Sequence, residues 1–183
     1  MRHDLFRHEE MEVFVREREL ARALRLAQAA VRFFAGDSAG FPDEFKDAIE
    51  KSGLAPTLAE KKHSYVLHYP VYCRRVLPED TLMSMASGDE PWFSVSFFTY
   101  DPPHKREPYY ALCLFIAQTL RQLTEVRLHW GKHFPLRYPQ SAASYPRFEE
   151  FRSICTAHDP NGVLRNAFTA SVLNLPPGST QTA

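Results

Sequence analysis

Met11-Glu12-Val13-Phe14-Val15, running straight into Glu17-Arg18-Glu19-Leu20, is the stretch that sets the architecture of this chain. The first five residues alternate enough to form a short strand, and the acids that follow suit the positive end of a helix. A strand-then-helix unit therefore opens the fold. From Leu20 onward, Leu20, Leu24, Ala27, Val31 and Phe34 recur at helical spacing until Gly36 stops the helix. Arg18, Arg22, Arg25 and Arg32 lie on the opposite face, which reads as a solvated surface.

Working outward, residues 36–62 hold Gly36, Gly40, Pro42, Gly53 and Pro56 around a short helix from Asp43 to Lys51, and they read as a connector. Residues 65–76 are rich in β-branched and aromatic side chains and predict a strand, with Pro70 at an edge position or bulge. A second strand runs from Trp92 to Tyr100, and Asp101-Pro102-Pro103-His104 breaks it. Pro108 suits the first turn of a helix whose stripe, Tyr109, Leu112, Ile116, Thr119, Leu120 and Leu123, should be the best buried. Val126-Arg127-Leu128 forms a third strand in this series and delivers the turn His129-Trp130-Gly131-Lys132. Ser144 precedes a last helix, with Pro146 in its first turn and Phe148, Phe151, Ile154 and Cys155 on one face, and Asp159-Pro160-Asn161-Gly162 ends it. The expected class is α+β, a mainly antiparallel sheet with helices covering one face and a C-terminal helical tail. The closing Pro176-Pro177-Gly178-Ser179-Thr180 is expected to be disordered.

A chain of 183 residues with 44% apolar composition is long enough to bury a real core. Lys plus Arg equals Asp plus Glu at 22 each, so no global field draws it to nucleic acid. Cys73, Cys113 and Cys155 are widely spaced and unpaired in sequence, against a disulfide scaffold or a structural zinc site. No apolar leader or membrane-length window is visible, so a cytoplasmic location is expected, with a peripheral membrane contact left open.

The turn at 129–132 combines a Trp, a Gly and two ionisable groups, an unusual set for a plain loop. Two readings of it stand at this point, a chemical site and a structural anchor with His129 and Lys132 on the surface. His129 and His133 lack a third ligand, so no metal site is expected. Neither a nucleophile elbow nor a phosphate-cradling glycine loop is present.

Taken together, His8-Glu9-Glu10-Met11-Glu12-Val13-Phe14-Val15, the strand from Trp92 to Tyr100, Arg127-Leu128-His129-Trp130-Gly131-Lys132 and the closing Phe148, Phe151 and Arg152 followed by Asp159-Pro160-Asn161-Gly162-Val163-Leu164 with Asn166 resemble the C-terminal half of the flavin-dependent sugar oxidases. These are the D-arabinono-1,4-lactone, gulonolactone and alditol oxidases, flavoproteins of the vanillyl-alcohol oxidase type. The resemblance implies a cap or substrate domain over residues 1–134 and a segment over 135–183 that returns to an FAD-binding domain. It implies an oxidoreductase acting on CH-OH groups of a sugar lactone or polyol, with hydride transfer to flavin N5. It places Lys132 and His129 beside flavin and substrate as catalytic and cofactor-binding groups, and Arg74 and Trp130 as substrate contacts. Relatives carry a Glu-x-Arg pair on a cap strand, where this chain reads Tyr72-Cys73-Arg74-Arg75, so the Arg survives and its acidic partner does not.

On that resemblance FAD is held mainly by a domain or subunit outside these residues, and the isolated chain is expected to be inactive and free of FAD. The alternative is a non-catalytic interaction module that keeps the cap fold. Because Met fills a volume similar to Lys, Lys132→Met is expected to preserve folding.

Overall fold

The computed structural model describes residues 7–176. The expected disorder of the closing Pro-Pro-Gly-Ser-Thr stretch therefore falls, beyond Pro176, outside the described residues. Strand β1 (Glu9–Arg16) passes directly into α1 (Glu17–Phe34), as the opening stretch requires. There follow α2 (Asp43–Lys51), α3 (Ala55–Leu58), β2 (Tyr72–Val76), β3 (Trp92–Thr99), α4 (Glu107–Leu123), β4 (Arg127–Leu128), α5 (Phe148–His158) and α6 (Ala167–Leu173). The strands form one antiparallel sheet in the order β2-β3-β1-β4. The class is α+β.

Alternation along the strands divides the sheet into two chemically different faces. Met11, Val13 and Val15 of β1 register with Phe97, Val95 and Phe93 of β3, and Leu128 of β4 pairs with Val13. Most of this face is buried in one cluster with Ala23, Leu26, Ala30 and Phe34 of α1 and Leu112, Phe115, Ile116 and Leu120 of α4. Each large apolar side chain fully removed from water contributes about 1.5–3 kcal/mol, so this layer dominates the stability. The same cluster continues through Phe134, Leu136, Tyr145 and Phe148 into Val172 and Leu173, tying the C-terminal helices to the sheet domain.

The other face carries Glu12, Phe14 and Arg16 of β1, Trp92, Ser94 and Ser96 of β3, Arg74 of β2 and Arg127 of β4. Part of it is covered by the strap between β2 and β3, which Arg127 pins down. The Arg127 guanidinium is 1% exposed; Nη1 donates to the Ser87 carbonyl and hydroxyl, both at 2.8 Å, and Nε donates to the Ser144 carbonyl at 3.0 Å. Arg127 and Arg16 lie over the Trp92 ring, 4.3 and 4.0 Å from its centroid, with Glu125 and Glu90 as counter-charges.

Three details differ from the sequence reading. The strand expected over 65–76 begins only at Tyr72, because Pro70 has no N–H to give a ladder and the Tyr65 backbone N–H donates to the Phe34 carbonyl at 3.2 Å while its ring is buried. The last long helix starts at Phe148, after Pro146, with Ser144 in a separate 3-10 turn. Of the predicted α1 stripe, Ala27 and Phe34 are buried while Leu20, Leu24 and Val31 pack at its margin, since Ala23, Leu26 and Ala30 face the sheet.

Candidate active site

The polar face of the sheet gathers chemistry because antiparallel register places alternate residues of four strands side by side. One cross-strand row runs Arg74, Ser94, Phe14, Arg127; the next runs Tyr72, Ser96, Glu12. His129 extends the second row, its N–H donating to the Glu12 carbonyl at 3.0 Å, and His133 N–H donates to the Glu10 carbonyl at 2.8 Å. Lys132 N–H closes the turn on the His129 carbonyl at 3.2 Å. The result is a hollow of about 290 Å³ lined by Glu12, Arg74, Ser94, His129 and Lys132, with Glu79, Ser84 and Met85 of the strap as its wall.

Lys132 Nζ lies 2.6 Å from Glu10 Oε1 and 2.6 Å from Glu12 Oε2. These carboxylates are largely buried, at 11% and 6% side-chain exposure, and the lysine at 21%. Burial pushes the Glu12 carboxyl up, but the hydrogen bond from Lys132 and its positive charge, with other polar neighbours, outweigh it and hold the group below its ordinary value. Glu12 is therefore ionised at neutral pH. His129 Nδ1 accepts the Gly131 N–H at 3.1 Å, so in the neutral ring the proton sits on Nε2, which serves as a donor.

Of the residues singled out from sequence, Arg74, His129 and Lys132 are brought together and Trp130 is not. Trp130 Nε1 donates to the Met83 carbonyl at 2.8 Å, and its ring stacks on Phe134 at 4.7 Å, with Tyr145 at 5.2 Å. It faces a separate apolar cleft of about 430 Å³ lined by Phe151, Ile154, Leu164, Phe168 and Leu175. The turn is thus both of the things read in it, an anchor through Trp130 and a polar site through its neighbours. His133 stacks on Tyr110 at 4.4 Å, and among the described residues no group of three or more metal-ligating side chains occurs.

Sequence reasoning missed Glu10 and Glu12 as site residues. The signal was present: carboxylates alternating with Met11 and Val13 in a strand must face away from the helices, toward whatever β4 delivers. The closing turn is structural, with Asp159 Oδ1 and Oδ2 accepting the N–H groups of Val163 and Leu164 at 2.7 and 3.1 Å.

With this geometry in hand, known proteins give a consistent placement. A long-chain alcohol oxidase from an uncultured marine euryarchaeote is 40% identical over 174 residues, 94% of this chain and 36% of that protein. The chain thus spans about a third of the length of this relative. The profile of the D-arabinono-1,4-lactone oxidase family matches residues 22–172, including β2, β3, α4 and the His-Trp-Gly-Lys turn, and the chain belongs to that family.

Proposed function

We propose that this chain is the substrate-side part of a flavin-dependent oxidase acting on a CH-OH group. The observation that carries the reading is the convergence of Glu12, Arg74, His129 and Lys132 from two strands and one turn on a single hollow. Sugar lactones and polyols, the substrates implied by the family resemblance, and the alcohol in the name of the relative share that reacting group. The acidic partner that β2 lacks at Tyr72 has a counterpart in the same cross-strand row, because Glu12 faces Tyr72 across Ser96. This favours a catalytic site over a non-catalytic interaction module.

The residues fit the edge of a flavin ring and not its diphosphate. Lys132 and Arg74 offer cationic donors at an open hollow, while no glycine-rich turn leading into a helix N-terminus occurs among the described residues. FAD is accordingly held mainly by a partner domain or subunit. Flavin, when bound, supplies a hydride acceptor at N5. The chain's own residues do the rest: ionised Glu12 accepts the hydroxyl proton, while His129 Nε2–H and the Arg74 guanidinium donate to the substrate oxygen as negative charge grows on it. Lys132 fixes Glu12 and keeps one further N–H for the hollow.

The apolar cleft beside Trp130, flanked by Val163 at 61% and Leu164 at 80% exposure, is the surface on which the flavin-binding portion docks in this reading. The test is to join the chain to a flavin-binding portion from a relative and follow anaerobic reduction of flavin by an alcohol in rapid mixing. Glu12→Gln and His129→Gln should each slow reduction about a hundredfold, the usual cost of one preorganised group. Reduction at the unmodified rate in both variants would refute the assignment.

A further inference from the structure

Beyond the hollow, the same face of the sheet changes character. Toward the start of β1 and the end of β3 it presents rings, with Glu10, in register with Phe98, as the carboxylate among them. Tyr72 meets Phe98 edge-on at 5.6 Å, Tyr69 lies 4.7 Å from Tyr100, and His8 lies 5.6 Å from both Phe98 and Tyr100. Tyr69, Tyr72 and Tyr100 remain 39%, 45% and 37% exposed. Three half-exposed tyrosines around one phenylalanine form a continuous apolar ledge, and it begins at the row that holds Glu12, since Tyr72 and Glu12 are both in register with Ser96.

We propose that this ledge, Tyr72, Phe98, Tyr69 and Tyr100, receives an extended hydrocarbon tail of the substrate whose hydroxyl sits at Glu12 and Arg74. The inference rests on the reading of the hollow as the oxidation site and names the substrate class it serves, a monohydric alcohol with an apolar tail. Two observations favour a tail over a polyhydroxylated chain. The carboxylate nearest the rings is already engaged: Glu10, in register with Phe98, holds Lys132 at 2.6 Å through one oxygen and has His8 Nε2 4.0 Å from the other. Position 72, where the resemblance places a carboxylate able to accept from a sugar hydroxyl, is a tyrosine that packs on Phe98. A polyol lying here would keep its hydroxyls in water and bury little apolar surface, whereas methylenes would cover exposed ring faces.

The test is an NMR titration of the purified full chain with 1-butanol, 1-hexanol, 1-octanol and sorbitol, following the tyrosine ring signals. A fully buried methylene changes affinity about fourfold, and a tail on a ledge open to one side gains roughly twofold per methylene. Affinity should therefore rise about 16-fold from 1-butanol to 1-octanol, with the shifts centred on Tyr72 and Tyr69. Tyr72→Ala, at an exposed edge-strand position, should remove most of that slope and leave 1-butanol within about twofold. Tyr72→Glu should flatten the slope and favour sorbitol. An affinity independent of chain length, a slope that survives Tyr72→Ala, or shifts confined to Leu164 and Phe168 of the other cleft would overturn the ledge. If the slope behaves as expected but Arg74→Ala leaves 1-butanol binding unchanged, the ledge stands and the placement of the hydroxyl fails.

Discussion

Replacing Lys132 by Met tests the electrostatic design of the site most directly, and the geometry reverses what residue volumes imply. Methionine fills the space, yet it removes the ammonium that bridges Glu10 and Glu12, two carboxylates at 11% and 6% exposure. Removing one partner of a buried ion pair costs about 3–5 kcal/mol, because the remaining charge stays desolvated. Lys132 is 21% exposed, so the lower end, about 3 kcal/mol, applies. For a chain of this size that corresponds to a melting temperature lower by roughly 6–12 °C at pH 7.5. The sign of the pH dependence follows from Glu12. Its folded pKa lies below the ordinary 4.5, so the stability it contributes is complete above that value and is lost as pH falls through the folded pKa. In the variant the desolvated Glu12 loses its main stabiliser and takes up a proton more readily. The difference between variant and parent should thus be largest at neutral pH and shrink toward pH 4. Thermal denaturation at pH 7.5 and 4.5 measures it, and Glu12→Gln combined with Lys132→Met should be more stable at pH 7.5 than Lys132→Met alone. Melting curves for Lys132→Met within 2 °C of the parent at pH 7.5, or an equal loss at both pH values, would refute the argument.

Other expectations follow from the same contacts. Arg127→Lys should destabilise by about 2–4 kcal/mol in urea unfolding and speed proteolysis within residues 77–90, since a single ammonium cannot hold carbonyls on two segments and stack on Trp92. Trp130→Ala should cost about 3 kcal/mol by the same measurement, from lost stacking on Phe134 and an unpaired Met83 carbonyl. Asp159→Ala should accelerate hydrogen exchange at Val163 and Leu164, whose N–H groups it caps, with a loss of about 1–2 kcal/mol. Arg74→Ala, at an exposed edge-strand position, should leave the unfolding free energy within about 0.5 kcal/mol while slowing flavin reduction in the joined protein.

How far the sequence carried can be argued residue by residue. The opening strand and helix, α2, β3 and α4 were legible because period and punctuation agreed: acids at Glu17 and Glu19, Pro108 at a helix start and Gly36 at a helix end all act locally. Helix α6 was not anticipated as a separate element, although Asn166 and Thr169 form a reciprocal capping box that marks its start. The site was half legible. Lys132 and His129 were conspicuous as a local cluster and Arg74 through the resemblance, but Glu10 and Glu12 lie more than a hundred positions from Lys132, and only strand register brings them together. Trp130 drew attention for the right reason and in the wrong direction, because a turn sends neighbouring side chains to opposite sides.

On the proposed reading, the charge arrangement also bears on what a flavin-binding partner would contribute. Lys132 has three N–H groups and gives two to Glu10 and Glu12, so its attraction for a substrate oxygen is already offset within the chain. Arg74 is exposed, where water screens a unit charge by a factor several times that of a buried site. Each donor is therefore weak as long as the hollow stays open. Covering it with a flavin-binding portion would expel water and strengthen Arg74 and His129 without moving them, while the Lys132 ion pairs, already shielded, would change little. On the proposed reading the fold supplies donors in place but leaves their strength to be set by the surface that closes over them, which makes catalysis by these residues conditional on assembly.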